Sequence, residues 1–180
     1  VFILDGRLLA SGGADNYVML WDVARGTNLF KTDAGGGPVN RVRFSPDGKH
    51  LAATTKEGLA VLWRVSDLLA NRPHPLATLR GHTGAVLGLA FSPDGRRLAT
   101  GSTDGTIRIW EVPTGRELLT LRGHGGNVHS LVFGPRGRRL ISSGPNGMIR
   151  IWMSDDWRVP GGTGAPIQRP GPDRERPQVF

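Results

Sequence analysis

The chain repeats itself at a fixed interval, and this limits its fold more than any other feature. The clearest copy runs from Gly81 to Trp110: GHTGAVLGLAFSPDGRRLATGSTDGTIRIW. A Gly-His pair opens it and an apolar run follows, Val86 to Phe91. Then come a Ser-Pro-Asp-Gly turn, a second run (Leu98 to Ser102), a Thr-Asp-Gly turn and an alternating run, Ile107 to Trp110. After Pro113-Thr114-Gly115 a fourth run, Leu118 to Leu121, leads into the next Gly-His. Short β-rich runs punctuated by Pro, Gly and Asp predict antiparallel strands joined by tight turns. His82 and His124 lie 42 residues apart, as do Phe91 and Phe133, and Trp21, Trp63, Trp110 and Trp152 follow at 42, 47 and 42.

Four strands per unit at this period predict the blades of a β-propeller. With the Trp landmark in phase four times, the Asp-Gly of the first turn three times and the Gly-His pair twice, residues 1–153 resemble the WD-repeat family. The name dipeptide is intact once, Trp21-Asp22; it reads Trp63-Arg64, Trp110-Glu111 and Trp152-Met153 elsewhere. The expected fold is all-β: a partial propeller of about two complete and two incomplete four-stranded antiparallel blades, near residues 1–32, 34–79, 81–121 and 123–153.

The first unit lacks most of its innermost strand and the last lacks its outermost. In the family the ring is closed by strands from both termini. The chain is therefore expected to be a piece of a longer propeller, or a remnant that pairs with other copies. Residues 66–75, which carry five extra residues, are expected to protrude as a loop. Residues 154–180, rich in Pro, Gly and Arg, are expected to be disordered or a linker.

The resemblance implies a structural network in each blade. In the third unit, His82 bonds the turn aspartate Asp104, and a strand hydroxyl, Thr100 or Ser102, bridges that histidine to the Trp110 indole. At the aspartate position the other units carry Asp15, Glu57 and Asn146. At the histidine position they carry a truncation, Gly35 and His124, and at the tryptophan position Trp21, Trp63 and Trp152. Only the third set is complete, so the second blade is expected to be the loosest. The competing reading, a catalytic His/Asp pair, lacks an accompanying nucleophile. No enzyme activity is expected.

No metal or cofactor is implied. Cysteine is absent, and His50, His74 and His129 are scattered without ligand spacing. The Ser-Pro-Asp-Gly segments lack the Lys-Ser/Thr of a phosphate loop and the alternating acids of a calcium loop. No apolar run is long enough to span a bilayer. A cytoplasmic setting and no membrane partner are expected.

Function is then a matter of surface. By resemblance, partners meet the loops entering each inner strand and the second-to-third-strand turns, here Thr83, Ala85, Asn127, Lys56 and Thr103. The leading expectation is a non-catalytic protein–protein interaction scaffold or sensor. The alternative is a polyanion- or nucleic-acid-binding protein, motivated by a formal net charge of +8.

Overall fold

The computed structural model describes residues 1, 6–72 and 74–153, with the side chain of Asn146 set aside. The segment 154–180 expected to be a linker lies outside the described residues. Among the described residues fourteen strands form four separate antiparallel sheets. Blade 1 is β1 (Leu8–Gly12), β2 (Tyr17–Asp22) and β3 (Thr27–Asp33). Blade 2 is β4 (Val39–Phe44), β5 (His50–Thr55), β6 (Ala60–Arg64) and β7 (Ala77–Leu79). Blade 3 is β8 (Val86–Phe91), β9 (Arg97–Ser102), β10 (Ile107–Glu111) and β11 (Glu117–Leu121). Blade 4 is β12 (Ser130–Phe133), β13 (Arg139–Ser143) and β14 (Ile149–Met153). The fold is nearly all-β, with two complete and two three-stranded blades. Val1 lies beside β1. Its amino group donates to Ala10 O (2.6 Å), and Ala10 N–H returns a bond to Val1 O (2.7 Å).

Each blade is a meander because its turns are cheap to make. The turn between first and second strands places glycine at φ near +70°, at Gly48, Gly95 and Gly137, a conformation that a Cβ disfavours. In two of these turns the serine hydroxyl donates to the aspartate, 2.6 Å for Ser45–Asp47 and for Ser92–Asp94.

A twisted sheet has two faces, and adjacent blades hide the faces they turn toward each other. Three apolar cores result, one per junction. Ala10, Val18 and Leu20 meet Val39, Leu51 and Trp63 between blades 1 and 2. Ala52 and Leu62 meet Leu89, Leu98 and Trp110 between blades 2 and 3. Ala99, Ile107 and Ile109 meet Val128, Leu131 and Leu140 between blades 3 and 4. Glycine sets the close approach at two junctions: a Cβ on Gly12 would lie 3.1 Å from Val42 Cγ1, and one on Gly101 3.3 Å from Leu131 Cδ1. Side chains stitch the inner strands as well. Asn40 Nδ2 donates to Val86 O (3.0 Å) and Arg41 Nε to Leu87 O (2.7 Å).

The segment expected to protrude behaves differently in its first half. Val65–Leu69 form a short helix, α1, and bury Val65 and Leu68 in the core between blades 1 and 2. Their i, i+3 spacing puts both side chains on one face. Burial of that face outweighs the solvation a loop would enjoy.

Among the described residues the two end faces have no neighbour. Val132, Ile149, Ile151 and Met153 of blade 4 are 55, 67, 60 and 40% exposed. The cross-strand register Val132–Ile141–Ile151 puts them on the face that blade 3 buries against blade 4. On blade 1 the uncovered side leaves Trp21 half-buried, whereas Trp63 and Trp110 are 1% and 3% exposed.

Candidate functional site: the blade network and its rim

Blade 3 carries a continuous chain of hydrogen bonds. Trp110 projects from β10 and its indole N–H donates to Thr100 Oγ1 on β9 at 2.8 Å. That oxygen lies 2.8 Å from His82 Nε2, and His82 Nδ1 lies 3.0 Å from Asp104 Oδ2 in the β9–β10 turn. A neutral imidazole protonated on Nδ1 satisfies every partner: Thr100 O–H donates to Nε2, and Nδ1–H donates to the carboxylate. Burial of the ring favours this form and lowers the His82 pKa from its ordinary value, outweighing the nearby Asp104. Burial alone would raise the Asp104 pKa. Bonds from the Thr106 hydroxyl, the Thr83 and Thr106 N–H groups and His82 reverse this and hold it at about 2.

Of the two candidate hydroxyls, Thr100 makes the bridge. Ser102 Oγ donates instead to Gly84 O (2.9 Å) and accepts from Asp104 N–H (3.1 Å), fixing the turn that presents the aspartate. Thr106 is a further member that the sequence reading did not single out. Its hydroxyl is 2.7 Å from Asp104 Oδ1 and 3.3 Å from His82 Nδ1.

The other blades hold graded remnants. In blade 4, Trp152 Nε1 donates to Ser142 Oγ (2.8 Å), which lies 3.2 Å from His124 Nδ1. His124 Nε2 is buried without a partner among the described residues. The Asn146 side chain falls outside them. In blade 1, Trp21 Nε1 donates to Ser11 Oγ (2.9 Å), and Asp15 Oδ1 accepts from Tyr17 N–H (3.3 Å). Ser11 and Ser142 were also missed. Their signal is positional: each bridging hydroxyl stands ten residues before its tryptophan. Ten residues before Trp63 stands Ala53, and Trp63 Nε1 is buried with no partner among the described residues. Gly35 and Glu57 stand at the other two positions of blade 2; Glu57 is exposed, and among the described residues the turn is held instead by Thr55 Oγ1, which bonds Leu59 O and Leu59 N–H.

The order Thr100–His82–Asp104 has the connectivity of a nucleophile, base and acid. Its surroundings forbid that use. Thr100 is fully buried, its oxygen is already held by the Trp110 indole, and the His82 side chain is 2% exposed. A substrate carbonyl has no route to the hydroxyl. Among the described residues no three His, Cys, Asp or Glu side chains gather as a metal site.

The network ends at a rim. Lys56 N–H bonds Pro38 O (2.9 Å), and the next turn residue but one, Gly58, abuts His82 O and Gly84 O. Thr103 N–H bonds Ala85 O (2.9 Å), and a Cβ on Gly105 would lie 3.5 Å from Gly126 O, beside Asn127. Lys56, Thr83, Ala85, Thr103 and Asn127 thus lie along one edge crossing blades 2 to 4. Lys56, Thr83 and Asn127 are exposed, whereas Ala85 and Thr103 are half-buried.

Antiparallel meanders of three and four strands packed face to face, each carrying a tryptophan at the repeat period, define a β-propeller repeat protein. The chain belongs to the WD40 family (WD domain, G-beta repeat), whose profile matches residues 1–22, 27–64, 73–111 and 115–153. It is similar to the small ribosomal subunit protein RACK1 of Glycine max and that of Medicago sativa, each 40% identical over 57 residues. RACK1 of Brassica napus is 39% identical over the same length. The match spans 32% of this chain and 17% of each of these relatives.

Proposed function

We propose that this chain is a non-catalytic protein–protein interaction scaffold, acting as four blades of a larger propeller. The observation that carries the reading is the division of labour in blade 3. The polar chemistry is buried and consumed in fixing the β9–β10 turn, so what remains for function is the rim it holds in place. Lys56, Thr83, Ala85, Thr103 and Asn127 are proposed as partner contacts, with His82, Asp104, Thr100 and Trp110 as the cement beneath them. The bare apolar faces of blades 1 and 4 support seating against further blades, from the remainder of a propeller or another copy. Kinship with RACK1, named as a small ribosomal subunit protein, supports a cytoplasmic scaffold. The test is affinity capture with the chain in its full propeller. Thr83→Glu and Asn127→Glu are expected to abolish capture of the partner bound by the unaltered protein, with unchanged melting. Capture that persists in both variants would contradict the rim assignment.

A further inference from the structure

Part of the chain's excess positive charge lies at the edge opposite the rim, on the turns between first and second strands, where six cations face two acids. Each inner strand runs from the rim to this edge, so the turns of blades 2, 3 and 4 stand side by side. A Cβ on Gly95 would lie 3.9 Å from Asp47 Oδ1, and one on Gly137 3.6 Å from Pro93 Cδ. These three turns carry Lys49, Arg96, Arg97, Arg136, Arg138 and Arg139, all exposed except the half-buried Arg97. Asp47 and Asp94 are the acids among them, and in blade 4 the equivalent position is Arg136.

The contrast with other arginines is informative. Arg25, Arg64, Arg108 and Arg116 each pair with a carboxylate, those of Asp22, Asp67, Glu117 and Glu111. Within the arc Lys49 pairs loosely with Asp47 (3.9 Å), and Arg96 and Arg97 lie near Asp94; among the described residues, none of Arg96, Arg136, Arg138 and Arg139 has an ion pair. From Arg122 to Met153 the sequence holds five arginines and no Asp or Glu. Uncompensated like charges on adjacent turns repel one another, and a polyanion laid across them relieves that repulsion and releases counterions. Arginine forks suit phosphate oxygens bidentately. An arc crossing three blades fits a run of phosphates better than a single anion.

We propose that this arc is a docking surface for the phosphate backbone of a nucleic acid, read without regard to base sequence. It lies beyond the scaffold reading and on the other edge of the blades, so either can fail alone.

The test is fluorescence anisotropy of the whole chain with labelled single-stranded RNA, single-stranded DNA and duplex oligonucleotides over a salt series. Binding is expected at physiological salt and should weaken as salt rises. The triple change Arg136→Ser, Arg138→Ser, Arg139→Ser should lower affinity by roughly tenfold or more. It should also make the log–log salt slope shallower by roughly 2 on a single strand. The control pair Arg25→Ser, Arg116→Ser should change affinity by less than about twofold, since both already face carboxylates. All five side chains are exposed, and matched melting curves would verify folding. No binding at physiological salt would overturn the proposal, as would equal loss in triple variant and control. Competition by polyglutamate as strong as by nucleic acid, at equal charge concentration, would assign the arc to acidic proteins and overturn it too.

Discussion

Blades 2 and 3 are neighbours with the same strand order and the same cross-strand pattern, yet they hold themselves together differently. Blade 3 threads four side chains from Trp110 to Asp104 through its interior. Blade 2 has Gly35, Ala53 and Glu57 at the corresponding places and leaves Trp63 Nε1 and Thr54 Oγ1 buried without partners among the described residues. Nevertheless Trp63, Leu51, Ala52, Ala53 and Leu62 are each at most 1% exposed. Apolar burial between two neighbouring blades therefore suffices to build a blade. The network answers a narrower demand: once an imidazole and a carboxylate are buried, every donor and acceptor must be met.

The sharpest way to break the contrast is to cut the network at its charged end. Asp104→Ala leaves the His82 Nδ1–H, the Thr83 N–H and the Thr106 hydroxyl without their acceptor. It should cost about 2–3 kcal/mol in denaturant unfolding. Glu57→Ala, at the same position of blade 2, should stay within about 0.5 kcal/mol because the side chain is exposed. Equal shifts would show that the two turns are held alike.

Acid should expose the same asymmetry. The Asp104 pKa of about 2 lies below the unfolded value, so its contribution is complete above roughly pH 4 and is lost as pH falls toward 2. Burial also lowers the pKa of His82, so the unfolded chain takes up protons first as pH drops below about 6.5. Stability then declines on the acid side. His124, lowered by burial and then by Arg150 and His129, acts with the same sign. The denaturation midpoint should be lower at pH 5 than at pH 7, and His82→Gln should shrink that difference. A midpoint independent of pH between 5 and 7 would contradict a buried neutral imidazole.

A smaller effect separates the two indoles. Trp110→Phe removes a bonded donor and strands part of the chain behind it, whereas Trp63→Phe removes a donor that has no partner. Both lose packing. The first should therefore cost about 1 kcal/mol more than the second by thermal or denaturant unfolding. A reversed order would place the unmet donor elsewhere.

Much of this was legible beforehand, for identifiable reasons. The repeat fixed blade number and strand order because the Trp, Gly-His and Asp-Gly landmarks each mark a turn or strand end. In blade 3 the strand bounds agree to within one residue. The His82–Asp104 pairing was available from resemblance, but the choice between Thr100 and Ser102 was not. They lie two residues apart on one strand and point to the same face, and only the register of β9 on β10 decides between them. Ser11, Ser142 and Ala53 could have been found by counting ten residues back from each tryptophan. The burial of Val65 and Leu68 could not, because nothing local says which core lies beneath them. The arginine arc was hidden too, since Lys49, Arg96 and Arg136 are far apart in sequence and meet only through the stacking of blades.

The claim that one position, ten residues before each tryptophan, decides how a blade satisfies its indole is tested most directly at Ala53. Ser11, Thr100 and Ser142 occupy that position and bond their indoles at 2.8–2.9 Å. Ala53→Ser should therefore give Trp63 Nε1 an acceptor and raise stability by about 1 kcal/mol, with Trp63→Phe cancelling the gain. The measurement is a double-mutant cycle on these two changes in the whole chain. A favourable coupling of about 1 kcal/mol is the predicted result. Zero coupling, or a serine that destabilises the protein whether or not the indole is present, would contradict the account.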